Sequence, residues 1–91
     1  MLVLVVYDVA DNKRRNKLAK YLEGYGNRIQ LSVFECHLSL KQMRQLYKKV
    51  ASQVSAEEDN VRFYWLSPEA MSKVMTIGSI PPESPPSFYV I

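Results

Sequence analysis

Six apolar or aromatic residues in unbroken succession, Leu2-Val3-Leu4-Val5-Val6-Tyr7, follow Met1. A run that is apolar at both parities and rich in β-branched residues predicts a central strand covered on both faces. Asp8 ends the run. Val9 and Ala10 lead to Asp11, well placed to cap a helix. From Asn12 to about Glu23 the spacing turns helical. Leu18, Leu22 and Tyr25, with Tyr21 beside them, form one apolar stripe. Gly24-Tyr25-Gly26 stops that helix. Alternation resumes from Arg28 to Leu38, but its phase slips. Ile29, Leu31 and Val33 share one parity, and Phe34, Cys36 and Leu38 share the other. An extra residue near Val33-Phe34 predicts a bulge or a break, so a bent or split strand.

Ser39-Leu40-Lys41-Gln42 has the spacing of a capping box. The helix it opens runs to about Val54 on a stripe of Leu40, Met43, Leu46, Tyr47, Val50 and Val54. Residues 55–60 read as an acidic turn. Val61 to Leu66 is a further strand, with Val61, Phe63 and Trp65 on one face. Ser67-Pro68 breaks it, and Val74 to Ile77 is a candidate short strand. The order β-α-β-β-α-β predicts a ferredoxin-like sandwich of the α/β (α+β) class: an antiparallel-containing sheet with two helices on one face. The open face of such a sheet needs cover. A second copy meeting it face to face supplies that, so a homodimer is expected. Residues 1–78 form the domain. Residues 79–91, with Pro81-Pro82 and Pro85-Pro86, form a stiff proline-rich tail. Its apolar end, Phe88-Tyr89-Val90-Ile91, is expected to dock.

At 91 residues the chain is a single domain. Its longest apolar run is far too short to span a bilayer, and no signal-peptide pattern precedes it. One cysteine, Cys36, rules out an intrachain disulfide framework and suits a reducing compartment. No membrane association and a cytoplasmic location are therefore expected. The net charge of +3 is unevenly spread: residues 1–50 hold ten Lys/Arg and four Asp/Glu, and residues 51–91 hold two and five. A basic half points to a polyanion on one side.

The basic residues concentrate at the entrance to the first helix, Asp11-Asn12-Lys13-Arg14-Arg15-Asn16-Lys17. Cations oppose the partial positive charge there, and a bound phosphate would resolve the conflict. Long basic side chains splaying into water are the alternative. Lys13, Lys17 and Lys20 line one outer stripe. Arg14 lies on the core stripe one turn beyond its end, so it is expected to reach over the sheet end toward Asp8. Lys41, Arg44 and Lys48 form a comparable stripe on the second helix. Stripes of this kind suit a phosphate backbone. Asp8 has three structural readings: an Asx-turn, a helix cap, or an ion pair with Arg14 or Arg15. Its functional reading is a Mg²⁺ ligand, completed by the Asp8 of a second copy. Cys36 and His37 are neighbours in a strand and point to opposite faces, so they make a buried thiol and a surface imidazole rather than a metal site. Phe34, Phe63, Tyr64 and Trp65 read as packing or dimer contacts before base-stacking platforms.

Three segments together resemble the CRISPR-associated protein two (Cas two) family: Val5 through Lys17, Gly26 through Glu35, and Asp59-Asn60-Val61-Arg62-Phe63-Tyr64. They cover roughly the first two-thirds of the chain. The resemblance implies a ferredoxin-like homodimer that partners the Cas integrase in spacer acquisition. It also implies a Mg²⁺-dependent endonuclease acting on single-stranded RNA or double-stranded DNA. Its strand-end metal ligand carries over to Asp8. Its other site positions carry over to Tyr7, Arg15, Lys17, Arg28 and Phe34. With the basic helix, Lys13, Arg14, Arg15, Lys17, Lys20 and Arg28 are the expected nucleic-acid contacts. Leu31 departs from a frequent tyrosine and Lys17 from an arginine found in some members. A late strand that crosses to the partner maps to Val74–Ile77. The competing reading is a non-catalytic dimeric DNA-binding scaffold for the integrase. A ribonuclease toxin on a related fold fits the Asp8 motif less well.

Overall fold

A computed structural model describes residues 1–78. The elements are β1 (Leu2–Asp8), α1 (Asn12–Glu23), β2 (Gly26–Gln30), β3 (Val33–His37), α2 (Leu40–Ala51), β4 (Asn60–Leu66) and a short α3 (Pro68–Met71). The strands form one antiparallel sheet in the order β2-β3-β1-β4. This is the ferredoxin-like arrangement. The expected proline-rich tail, residues 79–91, lies outside the described residues.

β1 is central, as its composition predicts, but one face of it is left half-covered. Val3, Val5 and Tyr7 are buried in the core, whereas Leu4 and Val6 are only half-buried and Asp8 is exposed. The reason is topological: both helices serve one face. Leu18, Ala19 and Leu22 of α1 and Leu46 and Val50 of α2 join β1 and Phe34 and Cys36 of β3 in a single core. Val61, Phe63 and Trp65 pack against it from β4. Register then puts Leu4, Val6 and Asp8 beside Tyr64, Arg62 and Asn60 on the open face.

The phase slip is a strand break. β2 and β3 form a hairpin around Leu31-Ser32. The extra residue lies on the β2 side: Arg28 pairs Phe34 and Gln30 pairs Val33, so Ile29 is bulged, a few residues earlier than the pattern placed it. At Gly26 a Cβ would run into the Glu35 carbonyl oxygen and lie 2.7 Å from Cys36 Sγ, so the edge strand approaches β3 only with glycine there.

The Ser39 capping box is present, with Gln42 N donating to Ser39 Oγ at 3.1 Å and Ser39 N to Gln42 Oε1 at 2.8 Å. α2 ends at Ala51, three residues early, and Val54 packs on the core from the following loop. Leu40 and Tyr47 lie at the exposed edge of the α2 stripe. Ser67-Pro68 does more than break β4. Ser67 caps α3, and proline occupies the first turn, where its missing N–H is harmless. Val74–Ile77 forms no strand within this chain, and Met75 and Ile77 are 94% and 100% exposed. A strand needs an edge to pair with, and this segment meets none among the described residues.

Candidate nucleic-acid interface

Asp8 and Asp59 lie at the same end of the sheet, because Asp8 pairs in the ladder with Asn60. Each structural reading of Asp8 can be checked. Asp11 is the α1 cap, its Oδ2 accepting from Arg14 N at 2.9 Å. An Asx-turn at Asp8 would need the Ala10 N–H, which donates instead to Asp59 Oδ1 at 3.0 Å. Arg14 gives its Nε to Asp59 Oδ2 at 2.9 Å, and its Nη2 to Asp59 Oδ1 at 3.2 Å and Glu58 Oε2 at 3.0 Å. Arg15 donates to the Val9 carbonyl at 3.0 Å and to Asn12 Oδ1. The Asp8 carboxylate is left with no hydrogen bond or ion pair among the described residues.

The expected reach of Arg14 toward Asp8 is therefore corrected. A carboxylate 45 positions away in sequence captures the guanidinium. The Asp59 side chain has no accessible surface and also accepts from Ser55 N at 2.8 Å. The Arg14 guanidinium and the Ser55 N–H hold the Asp59 carboxyl down at about 2, with burial opposing them. Sequence reasoning missed Asp59, reading it as part of an acidic turn. One signal pointed there: uncompensated cations at the start of α1 call for an anion in space as well as in sequence. That anion is internal. Asp11, Asp59 and Glu58 answer much of the charge conflict that seemed to demand a bound phosphate.

Tyr7, Arg28 and Phe34 come together on the helix-covered side, opposite Asp8. Tyr7 OH donates to the Leu31 carbonyl at 3.1 Å, and Arg28 Nε and Nη2 donate to the same oxygen at 3.1 and 2.6 Å. The Arg28 guanidinium sits 5.7 Å from the Phe34 ring centre, and the Tyr7 and Phe34 rings stack at 6.3 Å. Burial pushes the Tyr7 hydroxyl up, with Arg28 pulling the other way. These residues hold the tip of the β2–β3 hairpin, where Leu31 is 81% exposed. Cys36 is buried and its thiol is pushed up to about 11 by that burial.

Lys13, Lys17 and Lys20 are exposed along α1, and none has a hydrogen bond or ion pair among the described residues. The same holds for Lys41, Arg44 and Lys48 on α2. Lys49 lies 6.0 Å from the Tyr21 ring centre. Among the described residues no three His, Cys, Asp or Glu side chains converge on a metal position. At the end of β1 the exposed Asp8 carboxylate is the candidate donor. Mg²⁺ is held by one or two carboxylates with waters and a phosphate, so the Asp8 carboxylate is a donor of the fitting type. Among the described residues no helix is long and apolar enough to cross a membrane.

The family model "CRISPR associated protein Cas2" matches residues 1–74. A Synechocystis protein named CRISPR-associated endoribonuclease Cas2 3 is 41% identical, covering 99% of this chain and 98% of its own. The crystal structure of Streptococcus pyogenes Cas2 superposes with a TM-score of 0.74 at 34% identity, over 86% of this chain and 100% of that one. A chain of a partial Cas6-RT-Cas1–Cas2 complex superposes with a TM-score of 0.77 at 35% identity, over 93% of each chain.

Proposed function

This chain belongs to the Cas2 family of CRISPR-associated proteins, and from that premise we propose that it is a dimeric nucleic-acid-binding scaffold of spacer acquisition. The observation that carries this reading is the unpaired stripe Lys13, Lys17 and Lys20. The seven steps from the first to the last span about 10 Å of helix axis. Such a row meets successive phosphates of a backbone without reading bases. Two copies joined through the face bearing Leu4, Val6, Arg62 and Tyr64 would carry two such rows on one rigid body. The neighbour assembled in a complex with Cas1 makes a Cas1-type integrase the fitting protein partner.

A second reading is favoured by one observation, the unpartnered Asp8. Metal-dependent phosphodiester hydrolysis at paired Asp8 carboxylates would give that charge a task, and the relatives named endoribonucleases make RNA a substrate to try. When bound, Mg²⁺ supplies positive charge against the developing charge on phosphate and orients a water. The chain itself would hold the ion through Asp8 and the backbone through its lysines. Arg28 and Tyr7 fix the hairpin beside the site.

Fluorescence anisotropy with labelled duplex DNA tests the scaffold. Lys13→Glu/Lys17→Glu/Lys20→Glu is expected to weaken binding strongly, and Asp8→Ala to leave it intact. Unchanged affinity of the triple variant would remove the reading. Cleavage of RNA or DNA with Mg²⁺, abolished by chelation and by Asp8→Ala, would establish the second reading as well.

A further inference from the structure

Arg14 is both the most tightly held cation of α1 and an incompletely used one. A guanidinium has five N–H donors arranged along two usable edges. The inner edge, Nε with one N–H of Nη2, is spent on the two oxygens of the covered Asp59. The other Nη2 N–H goes to Glu58 Oε2 at 3.0 Å. Nη1 has no partner among the described residues. The two contacts differ in kind: the Asp59 side chain has no exposed surface, whereas Glu58 is 62% exposed and Arg14 31%.

We propose that Arg14 is a phosphate-binding residue whose outer edge, Nη1 with Nη2, is occupied in the free protein by Glu58 as an internal substitute for phosphate. The inference rests on the scaffold reading and deepens it. Asp59 orients the guanidinium and keeps it oriented. A backbone phosphate arriving along Lys13 and Lys17 takes Nη1 and Nη2 bidentately, and Glu58 swings into water. An exposed ion pair of this kind is weak enough to be displaced, and a bidentate phosphate contact outcompetes a single carboxylate oxygen. The exchange has a consequence for selectivity. A lone anion gains little by displacing Glu58, whereas a polyanion already held by the lysines presents its next phosphate at high effective concentration. Glu58 thus tilts the surface toward extended backbones over small anions.

The test is duplex DNA binding by anisotropy across a salt series, with the full chain. Glu58→Gln is expected to tighten binding about two- to fivefold relative to wild type. Because Glu58 no longer competes, the Arg14 contact becomes complete over the whole salt range. Glu57→Gln, an exposed neighbour without an Arg14 contact, reports the effect of simply removing a nearby negative charge. The proposal requires the Glu58→Gln gain to exceed the Glu57→Gln gain. It also requires most of that excess to vanish in Arg14→Lys/Glu58→Gln, where the bidentate outer edge is gone. Equal gains from the two glutamates, or an undiminished gain in the double variant, overturn it. The lysine triple variant, measured alongside, separates the two failures. If the triple variant binds normally, the scaffold reading falls. If the triple variant binds weakly while Glu58→Gln behaves as Glu57→Gln, only the Arg14 assignment falls.

Discussion

Two aspartates flank the same sheet end and live in opposite worlds. The Asp59 side chain has no exposed surface, meets two edge N–H groups of Arg14 and two backbone amides, and is held ionised down to a pKa of about 2. Asp8, beside it across the β1–β4 ladder, is exposed and meets nothing among the described residues. A carboxylate that is covered has to be fully hydrogen-bonded, and the bonds that satisfy Asp59 are also those that close the β1–α1 loop onto β4. The Asp8 carboxylate ends its strand with no such bonds among the described residues. The contrast separates a residue that builds the site from one that is free to act in it.

The largest expected effect is on the builder. Asp59→Ala leaves the Arg14 fork and the Ala10 and Ser55 amides without their acceptor, and its melting temperature should fall further than that of any other variant named here. Asp8→Ala should melt like wild type, within about 0.5 kcal/mol, as surface substitutions do. Thermal or urea unfolding of the two, side by side, decides; equal losses would erase the distinction. The same carboxyl sets a pH dependence. Its folded pKa lies below the ordinary 3.8, so its contribution is complete above about pH 4 and is lost as pH falls toward 2. Asp59→Asn should flatten that acid limb of the stability curve.

The comparison then reverses when chemistry is measured. If paired Asp8 residues hold Mg²⁺, Asp8→Ala should reduce metal-dependent cleavage by about a hundredfold or more while duplex binding persists. Binding itself responds to the lysines. Reversing Lys13, Lys17 and Lys20 removes up to three phosphate contacts per copy, and the slope of log affinity against log salt should become shallower by about 2.7 for each copy that lies on the duplex. A slope unchanged by the triple variant would place the backbone elsewhere.

How much of this was legible depended on how local the cause was. The bounds of α1 followed from Asp11 and Gly24, the α2 start from the Ser39 capping box, and a bent or split strand from the parity change at Val33-Phe34, which the structure resolves as a hairpin with its bulge at Ile29. Each is written within a few neighbouring residues. Ser67-Pro68 was equally local but ambiguous, since a strand breaker and a helix starter have the same letters. The coverage of β1 on one face only depended on where the helices went. The Arg14–Asp59 pair, 45 residues apart, was invisible as a pair, although the excess of cations at the start of α1 announced that some anion was missing. The exposed Val74–Ile77 segment reads as a strand and finds no edge among the described residues. That is a question about a second copy, which one chain does not contain.

The smallest expected effect concerns Tyr7, and it tests whether the comparison extends to a third residue. Tyr7 precedes Asp8, so strand alternation turns it to the helix side, where its ring stacks on Phe34 and its hydroxyl meets the Leu31 carbonyl. Burial pushes that hydroxyl up from its ordinary value, with Arg28 pulling the other way. The Leu31 carbonyl also accepts two donors from Arg28, so it stays satisfied when the tyrosine oxygen is removed. Tyr7→Phe should therefore cost only about 0.5–1.5 kcal/mol in urea unfolding and change duplex affinity and any Mg²⁺-dependent cleavage by no more than a few fold. Arg28→Ala, which takes away both of the other donors and the cation over Phe34, should cost more and loosen the hairpin. If Tyr7→Phe instead silences cleavage as completely as Asp8→Ala, the tyrosine acts on substrate across the sheet end. The division between residues that build this sheet end and the one proposed to act there would then have to be redrawn.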